Sequence, residues 1–208
     1  TQAESSAASD VYKRQIPSES FIFSSNHNAH LDVIALSLAA KKNFNDIGML
    51  AAKDYWFDNS FRRNIMKPVM NLIPIGRRSS EGRDISFDDT LKLSKGFMNV
   101  NKRCIIIFPE GTRGKPDVLI RFKKGPARLA IGTGEKILPA AIMGTGLLWP
   151  KGKIIFKPGE INVYILPPLD PNSFLIRDNK NNIDLFKSAE AMTNALEMKI
   201  KEKIKDLS

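Results

Sequence analysis

The stretch CIIIFPEGTR, residues 104–113, decides the fold class of this chain. Its first half is an unbroken apolar run, without the alternating polar side chains of a strand that has one wet face. It therefore predicts a strand whose sheet is covered on both faces. The chain then turns through proline and glycine and presents Glu110, Thr112 and Arg113 at the carboxyl end of the strand. Ligands of α/β sheets bind at that edge.

Apolar patterns on either side of this strand alternate between strands and helices. Strand-like runs occupy 21–24, 104–108, 137–142 and 161–166, and helical patterns occupy 32–41, 85–100 and 184–207. Weaker features are an apolar run within 46–52, a basic, partly helical stretch at 60–70 and a possible strand at 154–156. No internal repeat or interior linker divides the chain. We expect the α/β class, with residues 16–208 as a single domain whose mixed β-sheet is flanked by helices.

Two further segments bear on the domain boundaries and on membrane contact. Residues 1–15 are small and polar and lack the apolar centre of a signal peptide, so we expect a disordered or non-native leader. The longest uncharged run, 137–150, is broken by proline and glycine and is shorter than the roughly 18 apolar residues of a membrane span. If the domain works at a membrane, this run lies on its surface. An upstream anchor, a fused partner domain and the oligomeric state are left open by the sequence.

The formal charge of +10 is concentrated in two segments. Residues 61–83 hold six Lys and Arg against one Glu, and residues 101–128 hold eight against one Glu and one Asp. Such clusters indicate an anionic partner, which could be nucleic acid, an anionic membrane or a phosphorylated ligand. Charge alone does not choose among the three.

The single cysteine, Cys104, lies inside the apolar run 104–108. It cannot form an internal disulfide, which favours a reducing compartment. We expect it to be a buried small apolar residue rather than a nucleophile.

The only two histidines of the chain, His27 and His30, both lie in NHNAHLD, residues 26–32. A hydroxyl nucleophile needs a base near neutral pH, and a carboxylate on the other ring nitrogen fixes the tautomer of that base. On a continuous helix, His27 and Asp32 would diverge by about 140°. We therefore place His27 in a loop and Asp32 at the start of the following helix, which Asp32 could cap.

Two other interpretations of these residues remain. Asp32 could cap the helix with both histidines as ordinary loop residues. His27, His30 and Asp32 could also bind a metal ion, but the chain has no further histidine and its one cysteine lies elsewhere. We expect no metal site.

A third cluster, IPIGRR at residues 73–78, is again apolar and then cationic. Together the clusters resemble the lysophosphatidic acid acyltransferase family, the 1-acylglycerol-3-phosphate O-acyltransferases and their glycerolipid relatives. Four ordered blocks carry the resemblance, which spans roughly residues 20–170. They are NHNAHLD at 26–32, IPIGR at 73–77, FPEGTR at 108–113 and ILPAAI at 137–142.

The chain departs from the family pattern at three positions. Ala29 and Gly114 stand where the family often has Ser, and Gly76 stands where it often has Asp. The missing hydroxyl beside His27 affects fine positioning but not the base. These departures bear more on the acceptor than on the reaction.

The resemblance implies a reaction and roles for its residues. The family transfers an acyl group from acyl-CoA or acyl carrier protein to the free hydroxyl of 1-acylglycerol-3-phosphate, giving phosphatidic acid, without metal or organic cofactor. His27, oriented by Asp32, is the expected catalytic base, and Glu110 is expected to order the loop or to contact the glycerol. The expected substrate-binding residues are Arg77, Glu110, Gly111, Thr112, Arg113 and Lys124, with Arg77, Arg113 and Lys124 on the acceptor phosphate. We expect a peripheral membrane protein on the cytoplasmic face, with no nucleic-acid partner.

Three rival interpretations of the motifs remain. A different acceptor, such as glycerol-3-phosphate or another lysophospholipid, would leave the reaction unchanged. A non-catalytic module that binds anionic lipid or nucleic acid would not need His27, and its function would survive His27→Ala. A hydrolase is disfavoured because the sequence has no Gly-x-Ser-x-Gly elbow.

Overall fold

The computed structural model describes residues 16–52, 71–75, 86–100, 102–115, 118–149 and 157–207. The strands are β1 Phe21–Ser25, β2 Ile47–Ala52, β3 Asn71–Ile75, β4 Cys104–Ile107, β5 Ile137–Met143 and β6 Asn162–Ile165. The helices are α1 Leu31–Ala40, α2 Phe87–Met98, α3 Gly125–Thr133, α4 Thr145–Leu148 and α5 Leu185–Leu207. Short 3₁₀ turns lie at Phe44–Asp46 and Pro171–Phe174.

The strands form one six-stranded sheet in the order β3-β2-β4-β1-β5-β6. All neighbouring pairs are parallel except β5 with β6, which are antiparallel, so the sheet is mixed. β1 lies in the interior between β4 and β5, and all five of its residues are buried. The α/β class with a mixed sheet flanked by helices is therefore confirmed.

Both faces of the sheet are covered, as the unbroken apolar runs require. Ile22 of β1 and Ile105 of β4 lie side by side and face a core shared with α2, α3 and α5. Their neighbours Phe23 and Ile106 face the opposite core, which packs against α1. This alternation follows from the two-residue period of side chains along a strand.

The strand β4 buries Cys104 completely. Burial raises the pKa of the Cys104 thiol to about 12, because the apolar surroundings disfavour the thiolate. The expectation that Cys104 is buried is confirmed.

The start of α1 differs from the expectation that Asp32 caps it. The helix begins at Leu31, and the residue in the cap position is His30, whose side chain makes no capping hydrogen bond. Asp32 is thus the second residue of the helix rather than its cap. Its carboxylate instead accepts hydrogen bonds from the chain that precedes the helix.

Several expected features lie outside the described residues. These are the leader at 1–15, the basic stretch at 60–70, Gly76 with the cations Arg77 and Arg78 of the third cluster, and the possible strand at 154–156. Among the helices that the structure describes, none is both long and apolar enough to cross a membrane.

Candidate active site

The two motif loops meet because β1 and β4 are parallel neighbours. Ser24 pairs with Ile107, so both strands end at the same edge of the sheet. The loop after β1 carries the first five residues of NHNAHLD, whose last two begin α1, and the loop after β4 carries FPEGTR. Adjacent strands lie about 4.8 Å apart, which brings the two loops into direct contact.

His27 and Asp32 form the pair that the sequence predicts. His27 Nδ1 lies 2.8 Å from Asp32 Oδ2. The His27 side chain is 17% exposed, whereas the Asp32 side chain is fully buried. An ionised carboxylate only accepts hydrogen bonds, so it selects the tautomer with the proton on Nδ1. Nε2 is then the ring nitrogen with a lone pair for a proton from a substrate.

The Asp32 carboxylate is fixed through one oxygen. Oδ2 also accepts the backbone N–H groups of Asn28 at 2.6 Å and of Ala29 at 2.9 Å. The other oxygen, Oδ1, is buried and has no hydrogen-bond partner among the described residues. Asp32 therefore organises the loop that contains His27 as well as the imidazole itself.

The ring of Phe108 supports the imidazole from the second loop. The two rings stack with their centroids 3.8 Å apart and their planes 11° from parallel. With Asp32 at Nδ1 and Phe108 against its face, the His27 ring is held in one orientation. Sequence reasoning placed Phe108 at the end of the buried strand and missed this contact, whose only signal is an aromatic residue next to the turn.

Glu110 joins the two loops through their backbones. Its Oε1 accepts the N–H of His27 at 2.8 Å, and its Oε2 accepts the N–H of Ile120 at 3.2 Å. The N–H of Gly114 donates to the carbonyl of His27 at 2.8 Å, which adds a second link. Of the two expected roles, these contacts favour ordering the loop over touching the glycerol.

The pKa of Glu110 is raised above its ordinary value, chiefly because burial disfavours the charged carboxylate. The N–H groups of His27 and Ile120 act in the opposite direction by stabilising the anion. The negative charge of Asp32 adds to the rise.

Asn26 ties the first loop to a third strand. Its Nδ2 donates to the carbonyl of Ile142 in β5, and its Oδ1 accepts the N–H of the same residue, both at 2.8 Å. Asn26 is buried, so both bonds are shielded from water. The sequence singled out Asn26 only as part of the motif and did not predict this role.

The structure describes two of the three cations of the predicted site. Arg113 is half-buried on the FPEGTR turn next to the exposed Thr112. Lys124 instead pairs with Glu190 of α5 at 2.8 Å, and its ammonium lies 3.4 Å from the centre of the Phe186 ring. Arg77 lies outside the described residues. The substrate-binding roles of these residues stay predictions.

The second histidine, His30, contacts a tryptophan. The ring of His30 is tilted against Trp149 with centroids 5.8 Å apart. Within the part of the chain that the structure describes, no three His, Cys, Asp or Glu side chains are grouped so that they could hold a metal ion.

The chain matches a protein family and is similar in fold to a solved structure. The family model described as Acyltransferase matches residues 9–143. The chain is similar to the crystal structure of the 1-acyl-sn-glycerophosphate (LPA) acyltransferase PlsC from Thermotoga maritima, with a TM-score of 0.66 and 24% identity. That match covers 93% of this chain and 69% of the other, and it concerns the fold.

Two curated relatives share recognisable sequence. The chain is 30% identical over 152 residues to a chloroplastic 1-acyl-sn-glycerol-3-phosphate acyltransferase from Arabidopsis thaliana. The aligned region covers 71% of this chain and 39% of the relative. It is 36% identical over 108 residues to a 1-acyl-sn-glycerol-3-phosphate acyltransferase from Borreliella burgdorferi. This aligned region covers 51% of this chain and 41% of the relative. The chain thus spans about two fifths of the length of these relatives.

Proposed function

This chain belongs to the Acyltransferase family, and we propose that it is an O-acyltransferase that moves a fatty acyl group from a thioester to the free hydroxyl of 1-acylglycerol-3-phosphate. The product is phosphatidic acid. The observation that carries the proposal is the 2.8 Å contact between His27 Nδ1 and the buried Asp32, beside the FPEGTR turn. The names of the Arabidopsis and Borreliella relatives support this acceptor.

His27 is the general base of the proposed reaction. Its Nε2 takes the proton of the acceptor hydroxyl, and the oxygen attacks the carbonyl carbon of the thioester. The tetrahedral intermediate collapses with cleavage of the C–S bond, and the imidazolium returns the proton to the leaving thiolate. The products are a new ester and a free thiol. No acyl-enzyme forms on Cys104, which is buried in β4.

Asp32 and Phe108 serve His27 in this step. The fixed carboxylate stabilises the imidazolium that exists between the two proton transfers. The stacked Phe108 ring prevents the imidazole from rotating away from the substrate. A base held in one orientation avoids losing entropy on the way to the transition state.

The acceptor phosphate binds at the FPEGTR turn. We assign it to Arg113, which can donate two parallel hydrogen bonds to phosphate oxygens, and to Arg77 of the third cluster. Gly111 and Thr112 form the adjoining surface of the turn. Glu110 orders the turn through its two backbone bonds. Lys124 is left out of this set because its ammonium pairs with Glu190.

The donor is acyl-CoA or acyl carrier protein, and the domain acts at the surface of an anionic membrane on its cytoplasmic face. The cations of segments 61–83 and 101–128 support this placement. Each exposed Lys or Arg near an anionic surface contributes about 1 kcal/mol to binding.

A panel of substrates tests the proposal. Oleoyl-CoA and oleoyl-acyl carrier protein are each incubated in detergent micelles with 1-oleoylglycerol-3-phosphate, glycerol-3-phosphate or lysophosphatidylethanolamine, and products are identified by mass spectrometry. We expect phosphatidic acid from the first acceptor with at least one donor. Transfer to another acceptor alone would refute the acceptor, and absence of transfer in every combination would refute the acyltransferase assignment.

A further inference from the structure

The side chain of Lys123 lies against the glycine of the FPEGTR turn. A Cβ added to Gly111 would be 2.6 Å from Lys123 Nζ and 3.1 Å from its Cε. A larger side chain at residue 111 would have to displace the Lys123 ammonium, and the φ of 68° also favours glycine there. The turn therefore carries the Lys123 ammonium directly over its backbone.

The backbone of Lys123 is fixed to the same turn. Its N–H donates to the carbonyl of Pro109 at 2.8 Å, and the N–H of Gly111 donates to the carbonyl of Phe108 at 3.1 Å. The main chain thus determines where the Lys123 side chain begins, beside Pro109, whose neighbours Phe108 and Glu110 both contact His27. This anchoring keeps the base of the Lys123 side chain beside the turn.

Lys123 and Lys124 have different surroundings although they are neighbours in sequence. The ammonium of Lys124 pairs with Glu190 and covers the ring of Phe186. Lys123 is exposed and takes part in none of the ion pairs found between described residues. Because no described carboxylate pairs with the Lys123 ammonium, that charge can neutralise an anionic ligand.

The charge balance at the turn favours the same ligand. Arg113 is on this turn, whereas Glu110, the acidic residue of the same turn, is buried and has both oxygens on backbone N–H groups. An incoming anion therefore meets Lys123 and Arg113 rather than the carboxylate of Glu110. A phosphate ester, with several acceptor oxygens, can accept from both cations at once.

We propose that Lys123, and not Lys124, joins Arg113 in binding a phosphate of the substrate at the Gly111 turn. The proposal rests on the acyltransferase function proposed above. The phosphate is that of the acceptor, or it belongs to the phosphate-bearing carrier of the donor. The shared chemistry is a phosphate ester, and kinetics separate the two sources.

The test compares Lys123→Ala with Lys124→Ala and with Lys136→Ala. Lys136 is an exposed lysine just before β5, and its loss removes the same charge from the opposite edge of the parallel strands. The KM and kcat of each variant are measured with 1-oleoylglycerol-3-phosphate varied at saturating oleoyl-CoA, and then with oleoyl-CoA varied. Lys123→Arg tests whether another cation restores the wild-type values.

We expect Lys123→Ala to raise one KM by roughly 10- to 100-fold, the range for loss of a charge-assisted hydrogen bond, with kcat changed less than threefold. A raised acceptor KM assigns the acceptor phosphate, and a raised donor KM assigns the carrier. Lys123→Arg should recover most of the loss, and Lys136→Ala should match wild type. Unchanged KM values in Lys123→Ala, or a fall in its kcat alone, would overturn the proposal. A rise in KM in Lys124→Ala instead of Lys123→Ala would also overturn it.

A binding measurement separates this proposal from the proposed function. Equilibrium dialysis with radiolabelled 1-oleoylglycerol-3-phosphate and, separately, with coenzyme A needs no turnover. Lys123→Ala should weaken the binding of one of these probes by a factor similar to that in KM. Binding that depends on Lys123 in a protein without acyl transfer would refute the function alone. Wild-type binding of neither probe, or binding that does not depend on Lys123, would refute the phosphate site.

Discussion

The side chain of Asn26 makes two hydrogen bonds of the kind that a neighbouring strand would make. After β1 ends at Ser25, the Asn26 amide pairs with both backbone groups of Ile142, as another strand residue would. The loop that carries His27 is thereby held to β5 immediately before the catalytic residue. Asp32 holds the same loop from its other end.

We predict that Asn26→Ala lowers the free energy of unfolding by about 2–4 kcal/mol, because it leaves a buried N–H and a buried C=O of Ile142 unpaired. Urea unfolding measures the change. Asn194→Ala, at an exposed position of α5, is the control and should stay within about 0.5 kcal/mol of wild type. A loss below 1 kcal/mol in Asn26→Ala would mean that water replaces the amide and that the loop does not depend on it.

Residue-scale geometry also explains what sequence reasoning found and missed at the site. The pairing of His27 with Asp32 was predictable because two scarce residue types lie at a spacing that only a loop-to-helix turn reconciles. The choice between Lys123 and Lys124 was not, since both residues precede α3 and the sequence does not show which way either side chain points. The Glu190 that engages Lys124 lies 66 residues further along the chain.

At the scale of elements, the site depends on β1 and β4 being parallel neighbours. Their apolar runs predicted two buried strands, but the sequence does not state which strands are adjacent. Adjacency alone permits the stacking of His27 on Phe108 and the bond from the His27 N–H to Glu110. The individual motifs were therefore predictable and their contacts were not.

Glu110 makes this junction sensitive to pH. Its pKa is raised in the folded protein, so the native state binds a proton more tightly than the unfolded chain does. As pH rises from the ordinary glutamate pKa through the raised value, the contribution of Glu110 to folding stability falls.

We predict that the difference in unfolding free energy between wild type and Glu110→Gln, taken as wild type minus variant, decreases as pH rises across this window. The glutamine has no charge to bury, so the unfolding free energy of the variant lacks the pH-dependent contribution of residue 110. Urea unfolding of both proteins between pH 4 and pH 7 measures the difference. A difference that grows with pH would show that the N–H groups of His27 and Ile120 outweigh burial and lower the Glu110 pKa.

At the scale of the whole molecule, the two faces of the sheet are covered by different numbers of the described helices. Three helices, α2, α3 and α5, pack on one face, and α1 packs on the other. β4 lies between β2 and β1 and is buried by both cores, so Cys104 reports on the integrity of the entire sheet.

We predict that Cys104 reacts with Ellman's reagent at pH 8 only through unfolding. Burial raises its pKa to about 12, so the native protein presents almost no thiolate at that pH. The labelling rate across a urea series should follow the fraction of unfolded protein. The fully unfolded chain in high urea is the control for reagent access. Rapid labelling in native buffer would contradict the buried position of β4.

The central claim is that His27 is the base that activates the acceptor hydroxyl. It is tested most directly by kcat/KM for transfer from oleoyl-CoA to 1-oleoylglycerol-3-phosphate in His27→Ala and His30→Ala, the two histidines of the chain. We predict a loss of about 10²–10⁴-fold in His27→Ala, the range for removal of a general base. His30→Ala should remain within threefold of wild type. Activity of His27→Ala within a few-fold of wild type, in a protein that is folded by circular dichroism, would contradict the account.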